Sequence, residues 1–148
     1  MFKIARADAS APFYLDLGDA EGVDMQMLSQ LCISENWIGD LSNGVIRLGE
    51  RAAALHGLDN SECGLLSMMR CYDPHDRAQI LELFEQAATS SCSFCFSTTI
   101  VSRTAQRQPV FCIGESNGLE QRHSGSMVGI FVFPRFQLAT GSHLGAQN

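Results

Sequence analysis

Apolar residues recur at two different spacings along this chain, and the change of spacing divides it. Over 24–34, Leu28, Leu31 and Cys32 fall at i, i+3 and i+4, the spacing of one helix face, with Asp24 placed to cap the start. The stretches 37–41 and 45–48 read as two short strands. Ser42-Asn43-Gly44 between them is a hairpin turn, because Asn and Gly tolerate positive φ. An Ala-rich helix follows over 50–56 and stops at Gly57. Residues 58–71 read as one or two short helical turns around Gly64.

The strongest helical signal comes next. Asp73 is a good N-cap, Pro74 suits a first helical position, and Ile80, Leu83, Phe84 and Ala87 then repeat as one buried stripe. After it the period changes to that of strands. Residues 94–101, 110–113 and 127–133 are β-rich and joined by short polar connections, which suggests an antiparallel meander. The last run is apolar at every position, so both of its faces are expected to be covered. Strands, short helices, one long helix and three more strands make an α+β domain: a five-stranded sheet with helices on one face. Residues 1–22 read as an irregular leader, 23–35 as an N-terminal helix, 36–138 as the domain, and 139–148 as a flexible tail.

Composition narrows the function classes. The chain has 148 residues, 45% of them hydrophobic and 18% charged, which suits one globular core. The net charge is −6; residues 1–62 hold ten acids and four bases, and 63–148 six of each. That balance argues against the electrostatic grip that nucleic-acid binding needs. No apolar run approaches the ~20 residues that span a bilayer, and residues 1–6 lack a secretory signal pattern. No membrane association, a cytoplasmic location and reduced thiols for the six cysteines are therefore expected.

The opening Trp37-Ile38-Gly39-Asp40-Leu41, then Leu55-His56-Gly57-Leu58, Gly64 and Asp73-Pro74-His75-Asp76-Arg77, resembles the PAS domain subgroup whose first strand carries Trp-x-x-Asp-Leu. The resemblance covers about residues 36–133 and implies the PAS fold, with a sensory or regulatory role in bacterial-type signal transduction. It departs at the end: Phe133 stands where many such domains carry an Asp that couples to an output element, and Pro134 follows. The expectation is either a stand-alone protein or a domain cut from a longer signalling protein.

Each candidate chemistry has a plainer counterpart. The flavin-binding branch carries Asn-Cys-Arg before the long helix; 66–72 here has Cys71 without that core, which argues against a flavin. Haem-binding members use a His within the long helix, and none follows His75. Cys92 and Cys95 would face opposite sides of a strand and lack the second pair that a zinc site wants, so no metal site is assigned. No nucleophile elbow or phosphate-binding glycine loop is present, so no catalytic residue is assigned.

What stands out is the interior. Nine Phe accompany two Tyr and one Trp. Leu55, Met69, Ile80, Phe84, Phe96, Phe111 and Phe131 could line an apolar pocket for a small ligand, or simply form a Phe-rich core. The helix over 24–34 is the expected cover of the sheet's outer face, in its own chain or across a homodimer, with Leu28, Leu31 and Cys32 meeting Phe133 there as a candidate seam. The leading expectation is thus a non-enzymatic PAS module that contacts a signalling partner, pairs as a homodimer and binds a small apolar ligand. The alternative is an adaptor with a filled core and no ligand; a haem-dependent sensor is the minor alternative.

Overall fold

The computed structural model describes residues 3–7, 29–117 and 125–135. Strand β1 (Lys3–Ala7) comes first, followed by β2 (Cys32–Asp40) and β3 (Val45–Leu48). Helix α1 (Glu50–His56), strand β4 (Glu62–Gly64), and helices α2 (Leu65–Met69) and α3 (Arg77–Thr89) lead into β5 (Cys92–Val101), β6 (Arg107–Ser116) and β7 (Ser126–Pro134). The strands form one antiparallel sheet in the order β1-β5-β6-β7-β2-β3-β4. The five expected strands are its centre, with β1 and β4 added at the two edges. Among the described residues no helix is long and apolar enough to cross a membrane.

The hairpin between β2 and β3 closes as its residues suggest. Asp40 Oδ1 accepts from the Ser42 amide at 2.9 Å, Asn43 Oδ1 accepts from the Val45 amide at 3.0 Å, and Gly44 takes φ 69°. Gly57 ends α1 with φ 71°, its amide donating back to the Ala54 carbonyl.

Four elements differ from expectation. Residues 3–7, within the stretch read as an irregular leader, form β1 because they pair with the edge of β5, Lys3 lying opposite Phe96 and Ile4 opposite Cys95. The helix expected over 24–34 gives way by Cys32, because residues 32–36 pair with β7: Cys32 lies opposite Pro134 and Ile33 opposite Phe133. The first half of that helix, 24–28, lies outside the described residues. The short strand β4 appears within a stretch read as helical, where it pairs with β3 through Ile46 and Cys63 and carries the cross-strand Arg47–Glu62 ion pair at 2.9 Å. The long helix starts at Arg77 rather than at Pro74. Asp73 spends its carboxylate one turn earlier, accepting from the His75 amide at 3.0 Å and from Arg107 at 2.7 Å. Asp76, at the true N-cap position, accepts instead from the Thr98 hydroxyl at 2.7 Å, which ties the helix start to β5.

Helices and sheet enclose one core. From the sheet it takes Trp37, Ile46, Phe94, Phe96, Ile100, Met127, Phe131 and Phe133; from the helices Ala52, Ala53, Met68, Met69, Ile80, Phe84 and Ala87. The stripe expected on the long helix is the buried one, with Leu83 half-buried at its margin.

Candidate functional site

The interior residues expected to line a pocket converge, with one exception. Met69, Ile80, Phe84, Phe96 and Phe131 are buried between helices and sheet, and Leu55 is half-buried at the edge. Phe111 is not among them. In β6 the buried positions are Val110, Cys112, Gly114 and Ser116, so Phe111 sits on the opposite face, across from Val132 of β7.

Trp37 fills the centre of this interior. It is 1% exposed, and its ring lies 6.0 Å from Phe84, 6.3 Å from Phe94 and 5.7 Å from Phe131. Phe84 continues the chain of rings to Phe94 at 5.3 Å and Phe96 at 6.1 Å. Tilted and edge-on pairs of this kind add ~0.5–1.5 kcal/mol each beyond the area they bury. Two glycines make the seat. Gly114 and Gly129 face each other across β6 and β7. A methyl on Gly114 would meet the Phe94 ring, and one on Gly129 would meet the Trp37 indole and the Ile113 carbonyl. The indole N–H finds no oxygen or nitrogen partner among the described residues; the Cys112 thiol lies beside it.

A polar pair is set into the same core. His56 and Tyr72 are both buried, with the Tyr72 hydroxyl 3.0 Å from His56 Nε2. The Ala52 carbonyl, 2.7 Å from Nδ1, can only accept. Nδ1 therefore carries the proton of the neutral ring, and Tyr72 donates to Nε2. Burial pushes the imidazole down from 6.5 to about 4, against the opposing pull of the Ala52 carbonyl. Burial likewise raises the Tyr72 hydroxyl and the Cys112 thiol well above their ordinary values. The sequence carried a signal for this pair only as the family-like Leu55-His56-Gly57 segment, with nothing to join it to Tyr72.

The seam residues are dispersed. Leu28 lies outside the described residues. Leu31 is exposed just before β2, and Cys32 is half-buried at the strand's start. Phe133 is buried on the inner face, with its ring 5.8 Å from His56, so it cannot meet a partner on the outer one. Cys92 is buried and Cys95 half-buried, at successive phases of β5 that point to opposite faces.

The outer face presents a different apolar set. Ile38, Ile113, Val128 and Ile130 are 55%, 47%, 51% and 41% exposed. Register brings them together, with Ile38 opposite Val128 and Ile113 opposite Ile130. Val128 and Ile130 overturn the expectation that both faces of the last strand are covered. Between these side chains runs an open groove of about 450 Å³, with Gly114 and Gly129 in its lining and Asn36 and Glu115 as its polar members.

No protein-family model and no curated protein matches the chain. Solved structures do. A sensory box histidine kinase/response regulator from Burkholderia thailandensis matches with TM-score 0.52 and 14% identity, over 68% of this chain and 76% of that one. The N-terminal domain of a diguanylate cyclase with PAS/PAC sensor from Marinobacter aquaeolei gives TM-score 0.58 and 10% identity, over 69% and 94%. A domain assigned to a light- and redox-sensing histidine kinase from Haloarcula marismortui gives TM-score 0.57 and 12% identity, over 75% and 97%. The chain has the PAS fold.

Proposed function

We propose that this PAS-fold chain is a non-enzymatic regulatory module of signal transduction, acting through protein–protein contact as a homodimer joined across the outer face of its sheet. Its structural neighbours include the sensory domains of a histidine kinase and of a diguanylate cyclase, which supports a signalling role. The single observation that carries the contact is the row of Ile38, Ile113, Val128 and Ile130, brought side by side on the face opposite the helices. Apolar side chains placed together on a surface mark an interaction site, whereas scattered ones do not.

Between an apolar-ligand pocket and a filled core, Trp37 favours the second. The space between helices and sheet is taken by its indole and the rings around it. In this reading the signal is carried by which partner sits on the outer face. The groove's lining is mostly apolar, with Asn36 and Glu115 as polar members, a composition that suits contact with another protein.

Replacing Ile113 and Ile130 together by lysine tests the contact. Light scattering at tens of micromolar should give a dimer for the parent and a monomer for I113K/I130K, with unchanged circular dichroism. A parent monomer, or a variant that still dimerises, would refute the proposal.

A further inference from the structure

Helix α1 packs on the core through two small residues, Ala52 and Ala53, with Leu55 half-buried at the margin. His56 is the largest side chain that it buries fully. Polar contacts hold both ends of the packed face. Near the N-terminus Glu35 of β2 accepts from the Ala52 amide at 2.7 Å. At the C-terminus His56 meets the Tyr72 hydroxyl at 3.0 Å, edge-on to the rings of Phe131 and Phe133.

This arrangement accepts only the neutral imidazole. A second ring proton, on Nε2, would point at a hydroxyl that is already donating. Tyr72 would have to turn its own proton away, into apolar surroundings. The groups facing His56 are the Ala52 carbonyl of its own helix, Tyr72 of the α2–α3 connection, and Phe131 and Phe133 of β7. None is a carboxylate. The charged group that touches α1 from the sheet, Glu35, is engaged at its other end, and the thiols of Cys63, Cys71 and Cys112 lie around Tyr72.

We propose that the His56–Tyr72 bond is an acid-sensitive latch: closed at neutral pH, it releases α1 from the core when His56 is protonated, while the sheet stays folded. The sign follows from linkage. Because the closed state holds the ring's affinity for a proton down, from 6.5 to about 4, latch stability is fully present above pH 6.5 and is lost as pH falls toward 4. Release would uncover the inner edges of Phe131 and Phe133, a local change of the kind that biases a signalling domain between two states.

Amide hydrogen exchange of the full chain from pH 7.5 to pH 4, corrected for the intrinsic pH dependence of exchange, reads the latch. Residues 50–58 should lose protection by on the order of 100-fold while β5 and β6 keep theirs. In H56Q, whose side chain offers a donor and an acceptor but does not titrate, the protection of 50–58 should not respond to pH. Should H56Q not fold, nuclear magnetic resonance titration of the His56 ring gives the second readout. Its midpoint should lie well below 6.5 in the parent and rise in Y72F, where the neutral ring has lost its donor. Protection of 50–58 that is constant with pH or lost together with that of β5 and β6, or a His56 midpoint near 6.5, would overturn the latch.

Discussion

Gly129 shows how much of this site depends on a missing side chain. It lets the Trp37 indole lie against β7, and Gly114 opposite does the same for Phe94. Replacing Gly129 by alanine forces a methyl against a carbonyl oxygen and a fully buried ring. The expected cost is about 2 kcal/mol, in the range of overpacked cores, and urea unfolding measures it. An unchanged midpoint would mean that Trp37 does not rest there. At this scale the sequence was legible by residue type but not by direction. Val110-Phe111-Cys112-Ile113 is apolar throughout and carries no phase. Size favours Phe111 as the core residue, whereas register buries Val110 and Cys112. Phe133 reads as an outer-face residue for the same reason, within an unbroken apolar run whose two faces are separated by pairing with β2 and β6.

At the level of elements, local signals held where the element is local. The β2–β3 hairpin, α1 with Gly57 as its stop, and the stripe of α3 all follow from residues a few positions apart. The elements made by distant pairing were hidden. Strand β4 is three residues long and exists through its pairing with β3, and residues 32–36 become strand because the end of β7 lies alongside. The adjacent apolar pair Cys32 and Ile33 fits a helix face as well as a strand until that partner is known. Helix α1 also depends on a distant group, since Glu35 binds the Ala52 amide from another element. Glu35→Ala should leave that amide unpaired and cost about 1–2 kcal/mol, with Glu35→Gln recovering most of it. Thermal denaturation of the two variants checks this. Equal melting temperatures for parent and alanine variant would remove Glu35 from the account.

Over the whole molecule, the helices and the sheet's inner face form one packed body, and the outer face keeps a patch of apolar side chains. The α+β layering could be anticipated from the change of hydrophobic period, and the PAS fold only through the family resemblance that Trp37-Ile38-Gly39-Asp40-Leu41 and the Asp73–Arg77 segment carry. What the interior contains could not. A Phe-rich stretch describes a ligand pocket and a filled core equally well, and nothing in it places Trp37 among the rings. Native mass spectrometry of the purified chain addresses core and contact together. The account predicts a species of twice the 16.2 kDa chain mass, with no added mass that is lost on denaturation. A species at the single-chain mass, or a retained small molecule released by unfolding, would contradict it.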